Sequence, residues 1–136
     1  MNDAHLQIPK NSANFAHYYD MTDIINSIIE GIQDRKGKKI TLIDLSKIGT
    51  APASRFVVCQ GNSPTQTAAI ADSVRDKVLE QTHRKPYNYD GYGAASWIVL
   101  DYGDTLVHIF TPETRQRYNL EDLWYDANIS EIPDLD

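Results

Sequence analysis

The stretch Ser96-Trp97-Ile98-Val99-Leu100-Asp101-Tyr102-Gly103-Asp104-Thr105-Leu106-Val107-His108-Ile109-Phe110 decides how this chain folds. Two apolar segments flank the polar break Asp101-Tyr102-Gly103-Asp104, which is the pattern of a β-hairpin. A loop of either two or four residues gives the same pairing parity. That parity sets Trp97 across from His108, Val99 from Leu106, and Asp101 from Asp104 on one face. Ile98, Leu100, Val107 and Ile109 occupy the other. Both faces are therefore largely apolar, and two carboxylates share the tip. Such a sheet needs cover on both sides, from its own helices or in part from another macromolecule.

Upstream, Thr22 can cap a helix running to about Arg35, with Ile24, Ile25, Ile28, Ile29 and Ile32 as its buried stripe. Lys36-Gly37-Lys38-Lys39 ends it, with Gly37 suited to a left-handed cap and cations suited to a helix C-terminus. Ile40 to Leu45 reads as a strand and Gly49 to Ala53 as a turn. Arg55 to Gln60 is a nearly all-apolar strand that fits an interior position in a sheet. In Gly61-Asn62-Ser63-Pro64-Thr65-Gln66, Ser63 is the N-cap, Pro64 opens the helix and Gln66 closes a capping box. That helix runs to about Gln81, with Ile70, Ala71, Val74 and Val78 facing inward. Residues 82–95 form an irregular connection with room for a short strand. After the hairpin, Thr111-Pro112-Glu113 starts a helical region through about Tyr125. The order αββαββα implies one α/β domain, a single mixed sheet with packed helices.

With 136 residues the chain holds one domain with a real core. No apolar run approaches the roughly 20 residues of a membrane helix. The start of the chain lacks the basic-then-apolar pattern of a secretory signal, so a cytoplasmic protein is expected. Cys59 is the one cysteine, which leaves no internal disulfide or cysteine-based zinc site. Of the net charge of −6, all comes from the end of the chain. Residues 120–136 hold Glu121, Asp122, Asp126, Glu131, Asp134 and Asp136 with no Lys or Arg, while residues 1–119 are neutral. Phosphate-driven binding to nucleic acid needs a basic surface, and none stands out. The acidic end fits a basic protein partner or a solvated tail equally.

Three kinds of chemistry can be weighed on these residues. The turn Gly61-Asn62-Ser63 before a helix could hold a phosphate, but nucleotidyl transfer also needs closely spaced metal-binding carboxylates. Asp134-Leu135-Asp136 is the sole Asp-x-Asp, in a stretch that reads as a tail, so a plain capped helix start is favoured. No two of His5, His17, His83 and His108 have metal-ligand spacing, and neither metal nor cofactor is expected. His108 next to a carboxylate could serve as a base, but a packed or interface histidine is favoured. Cys59, inside an apolar strand, reads as a buried thiol. Trp97, Tyr102 and the carboxylates are the recognition candidates, since aromatics anchor interfaces and opposed like charges cost stability. The alternative, a core Trp97 with two solvated turn-forming Asp residues, stands beside it on equal terms.

Trp97-Ile98-Val99-Leu100-Asp101-Tyr102-Gly103-Asp104, then Val107-His108-Ile109-Phe110, Glu113, Arg115, Tyr118-Asn119-Leu120-Glu121 and Leu123-Trp124 resemble the signature of the ribosomal silencing factor (Iojap) family. Leu42-Ile43-Asp44-Leu45, Phe56-Val57-Val58, Gly61-Asn62-Ser63, Gln66 and Ala69-Ile70-Ala71-Asp72 match in order upstream, and Asp90-Gly91 stands where Glu-Gly is usual. The resemblance covers about residues 21–126, between an extension (1–20) and an acidic tail (127–136). It implies a nucleotidyltransferase-like fold without that activity, and no enzyme. It also implies binding to the large ribosomal subunit through its ribosomal protein fourteen, blocking small-subunit joining when nutrients are short. In organelles, relatives are associated with large-subunit assembly, and family members can occur as dimers. Carried onto this chain, the partner-binding set is Trp97, Leu100, Asp101, Tyr102, Gly103, Asp104 and His108, with little direct nucleic-acid contact. Ser54-Arg55 departs from the Asp-Tyr pair that many relatives carry before Phe-Val-Val, which changes the charge of that edge.

Overall fold

The structure, a computed structural model, describes residues 24–135. The expected cap at Thr22, the extension 1–20 with His5 and His17, and Asp136 lie outside them.

Helix α1 covers residues 24–34, and Ile24, Ile28 and Ile32 are fully buried with Ile25 and Ile29 partly so. The left-handed position after it falls to Lys36 (φ 59°), not to Gly37. Gly37 serves a different need: a Cβ there would lie 2.5 Å from Cγ2 of Ile32, so the chain could not turn back so tightly over the helix. Strand β1 (Lys38–Asp44) starts two residues earlier than the apolar run, because a bulge at Lys39 (φ 54°) carries pairing past Ile40.

Strand β2 (Arg55–Gln60) and helix α2 (Pro64–Thr82) follow as expected. Ser63 Oγ accepts the Gln66 N–H at 3.2 Å, while Gln66 Oε1 reaches back to the N–H of Asn62 at 2.7 Å. The box thus closes one residue before the cap. Ile70, Ala71, Val74 and Val78 are buried on α2 with Thr67. Strand β3 (Asn88–Asp90) is the short strand of the irregular connection, and β4 (Trp97–Asp101) and β5 (Thr105–Phe110) form the hairpin.

The helical region after the hairpin is not continuous. It breaks into α3 (Pro112–Tyr118) and α4 (Leu120–Leu123) at Asn119, whose φ of 45° ends one helix while its side chain accepts the N–H of Asp122 in the next. The stretch read as a solvated tail is a strand instead. Strand β6 (Asn128–Ile132) pairs antiparallel with β1, placing Ile129 opposite Ile43. Asp134, the first acid of the Asp-x-Asp, accepts the Lys39 N–H at 2.8 Å and so fastens the end of the chain to the β1 bulge.

Among the described residues, six strands form one mixed sheet in the order β3-β4-β5-β2-β1-β6. Only β2 and β5 run parallel; their connection passes through α2, as a parallel crossover requires. One face carries Ile40, Val57, Cys59, Ile98, Leu100, Val107 and Ile109 against α1 and α2. The opposite face carries Ile43, Leu45, Phe56, Val58 and Phe110, covered by Leu120 of α4 and by Trp124 just after it. Arg115 ties this second layer down. Its guanidinium donates to Glu121 Oε2 (2.6 Å), the Lys39 carbonyl (2.7 Å), Thr41 Oγ1 (3.0 Å) and Gln60 Oε1 (3.3 Å).

Candidate functional site

Strand alternation sends Trp97, Val99 and Asp101 of β4 and Leu106, His108 and Phe110 of β5 to the face opposite α1 and α2. The face assignment matches the sequence reading, but the register differs by two residues. Trp97 faces Phe110, Val99 faces His108, and Asp101 faces Leu106, with Tyr102 N–H donating to the Thr105 carbonyl at 2.9 Å. The turn is therefore made by Gly103 and Asp104, and Gly103 takes the positive φ (91°) that such a turn demands. Asp101 and Asp104 are consequently not opposed, and the strain argument for a cationic partner falls away. Each carboxylate has a local donor: the Gly103 N–H lies 2.8 Å from Asp101, and the Thr105 hydroxyl 3.3 Å from Asp104.

Alternation also corrects the expected anchor set. Leu100 and Tyr102 point to the helix-covered face and are fully buried, so neither offers a contact surface. Burial pushes the Tyr102 phenol up to about 12. What remains on the other face is a half-open apolar strip. Trp97, Val99, Asp101 and Leu106 are half-buried, and their β3 neighbours Asn88 and Asp90 are exposed. On the α3–α4 side, Tyr118 and Leu123 are exposed. Val99, Leu106, Tyr118 and Leu123 were not among the expected site residues; alternation alone could have added the first two.

Trp97 is held from three sides. It stacks on Phe110 (centroids 5.0 Å apart), meets the Tyr118 ring at 4.6 Å, and donates its indole N–H to His108 Nδ1 at 3.1 Å. His108 in turn meets Phe56 edge-on at 4.5 Å, and Phe56 meets Trp124 at 6.3 Å. Because an indole can only donate, Nδ1 is the acceptor and the neutral ring's proton sits on Nε2. His108 is thus a packed brace behind Trp97 rather than a base beside a nucleophile. Arg55, from the pair that departs from the family pattern, donates Nε–H to Thr105 Oγ1 at 2.8 Å and is coupled electrostatically to Asp104. Its charge therefore serves the turn.

Burial lowers the His108 pKa from 6.5 to about 4. The unfolded chain then binds a proton between those values that the native state refuses. Stability from this residue is complete above pH 6.5 and is lost as pH falls towards 4, by up to about 3 kcal/mol. Urea unfolding across pH 4–7 is expected to show that loss in the native chain and a flatter profile in His108→Phe. Identical slopes in the two would remove His108 as the cause.

The phosphate-cradle alternative finds little support at the Gly61-Asn62-Ser63 turn. The Asn62 N–H is taken by Gln66 and the Ser63 hydroxyl is engaged as a cap. Cys59 is buried, with its thiol pushed up to about 12 by desolvation. Among the described residues, no group of three or more His, Cys, Asp or Glu could hold a metal ion. In the same residues, no helix is long and apolar enough to cross a membrane.

Residues 19–136 match the family model described as ribosomal silencing factor during starvation. A relative from Halalkalibacterium halodurans, named ribosomal silencing factor RsfS, is 32% identical over 110 residues, covering 81% of this chain and 92% of that protein. A crystal structure of a protein from Chromobacterium violaceum superposes with a TM-score of 0.71 at 35% identity, covering 76% of this chain and 84% of that one. A mouse protein named mitochondrial assembly of ribosomal large subunit protein 1 is 36% identical, over 65% of this chain and 43% of its own length. With a family match across nearly all of its length and a sheet shared with a solved homologue, this chain belongs to the ribosomal silencing factor family.

Proposed function

We propose that this protein binds the large ribosomal subunit through its ribosomal protein fourteen and there blocks joining of the small subunit, lowering translation under nutrient limitation. The observation that carries this reading is the half-open apolar strip of Trp97, Val99 and Leu106 beside a hairpin tip with two carboxylates. A partly exposed tryptophan fixed by a buried histidine loses little entropy on docking, which is what an interface anchor needs. Asp101 and Asp104 at the rim would meet Lys or Arg on the partner and chiefly set orientation and association rate. Gly103 lets the tip turn at φ 91° and leaves room for the Tyr87 ring beside it. The action is steric and cytoplasmic, with no catalytic step and no cofactor. Nucleic acid plays little part on this strip. A homodimer of the free protein through the same strip would compete with docking.

Co-sedimentation of the purified protein with isolated large subunits, followed by addition of small subunits, tests the reading. Binding with reduced joining is the expected result. The name of the mouse relative favours a second reading, an assembly role at the same surface. Binding to subunits without any effect on joining would support that instead. Absence of binding to mature and immature large subunits would overturn both.

A further inference from the structure

The connection between α2 and β4 carries side chains that the docking strip does not use. From Gln81 to Tyr89 the chain reads Gln-Thr-His-Arg-Lys-Pro-Tyr-Asn-Tyr, with two cations and no acid, in a protein whose overall charge is −6. Tyr87 is 78% exposed and Tyr89 49% exposed, an unusual display for two large rings on one short edge strand and its approach.

These rings are not on a loose loop. Just before the first β3–β4 pair, Asn88 with Asp101, the Tyr87 N–H donates to the Asp101 carbonyl at 2.8 Å. Its ring lies against the hairpin turn, so close that a Cβ on Gly103 would sit 2.9 Å from ring Cε2. Arg84 is fixed by a 2.8 Å hydrogen bond to the Tyr102 carbonyl, and Lys85 is exposed. Arg75 on α2 lies 4.2 Å from the Tyr89 ring centroid and adds a third cation to the edge. Four acids lie near this edge, each with a local donor: Asp72 accepts the Tyr92 hydroxyl at 3.0 Å, Asp90 the Gly91 N–H at 2.8 Å, Asp101 the Gly103 N–H at 2.8 Å and Asp104 the Thr105 hydroxyl at 3.3 Å.

A rigidly placed, solvent-facing aromatic ring with cations on its flank is the arrangement that stacks an unpaired base and steadies its phosphate. We propose that the Tyr87 edge, with Lys85 and Arg84, contacts an unpaired nucleotide of the RNA of the large subunit while the strip beside it sits on protein. The proposal rests on the reading that the hairpin docks on that subunit, and it gives the same site a second, RNA-facing component. The base stacks on Tyr87, and Lys85 lies nearest the phosphate. One or two phosphates are enough, so the contact needs no broad basic surface, and its salt dependence is shallow.

Affinity of the native chain, Tyr87→Ala, Tyr87→Phe and Lys85→Ala would be measured on whole large subunits and on isolated ribosomal protein fourteen, with chemical footprinting of the subunit RNA. Tyr87→Ala is expected to weaken subunit binding about tenfold and to expose a base that the native protein protects. Tyr87→Phe should bind as the native chain does, Lys85→Ala should weaken binding less, and affinity for the isolated protein should stay the same in every variant. Equal losses on subunit and isolated protein would overturn the proposal, because the ring would then be meeting protein. Unchanged subunit binding by Tyr87→Ala would overturn it while leaving the silencing reading intact. Subunit binding that depends on Tyr87 without any affinity for the isolated protein would sustain the RNA contact and sink the protein-fourteen docking. No binding to either would sink both.

Discussion

Replacing Arg115 with methionine is expected to lower the unfolding free energy by about 3 kcal/mol or more. The guanidinium side chain is only 12% exposed and serves four partners from three elements, β1 with its bulge, β2 and α4. Methionine keeps much of the aliphatic stem but leaves the Lys39 carbonyl, the Thr41 hydroxyl and the Glu121 carboxylate without their donor. An unmet group in such a place costs more than the bond it made contributed. Arg115→Lys is expected to recover only part of the loss, because one ammonium cannot span the planar fork that reaches Glu121 and Thr41 together. Glu121→Gln, on a carboxylate 27% exposed, should cost about 1 kcal/mol. Denaturant midpoints at constant slope would measure all three. A methionine variant as stable as the native chain would mean that apolar packing replaces this ion pair outright, as it can for some buried pairs.

Arg115 also shows where sequence reasoning reaches its limit. Local signals carry local elements well. Ser63, Pro64 and Gln66 mark a helix start within three residues, because a cap is satisfied by its own neighbours. Alternation along Trp97–Asp101 divides the two faces correctly even though the register is off by two, since an even slip leaves every side chain on its own face. The same alternation, followed one residue further, puts Tyr102 beneath the helices, where it is fully buried. Less legible is what depends on distant partners. Glu131 and the other acids of the last seventeen residues look solvated in sequence, yet Ile129 and Ile132 secure an edge strand once β1 offers its free side. Asn119 breaks the last helix in a way that pattern alone does not reveal, because a left-handed residue costs little when its side chain caps the next turn. The aromatic brace behind Trp97 draws on Phe56, far upstream of the hairpin, and on Tyr118 and Trp124 after it.

That brace makes Trp97 the residue whose loss should hurt docking most. Trp97→Ala is expected to weaken binding to the large subunit about thirtyfold or more, corresponding to roughly 2 kcal/mol or greater for a central aromatic anchor. Part of the effect is indirect. Without the indole, His108 Nδ1 loses its donor and Tyr118 loses its packing against the Trp97 ring, so the strip is no longer preorganised. Trp97→Phe separates the two contributions, since it retains an apolar ring against Phe110 but cannot donate to His108 Nδ1. Binding close to native in Trp97→Phe would assign the loss to buried area; binding close to Trp97→Ala would assign it to the fixed orientation. Asp101→Lys should behave differently, slowing association and changing its salt dependence while leaving the dissociation rate nearly untouched. The α1–α2 layer lies on the other side of the sheet, so each variant should keep a cooperative unfolding transition, which thermal denaturation would verify. If Trp97→Ala bound within twofold of the native chain while remaining folded, the strip could not be the docking surface, and the partner would have to meet another part of the molecule.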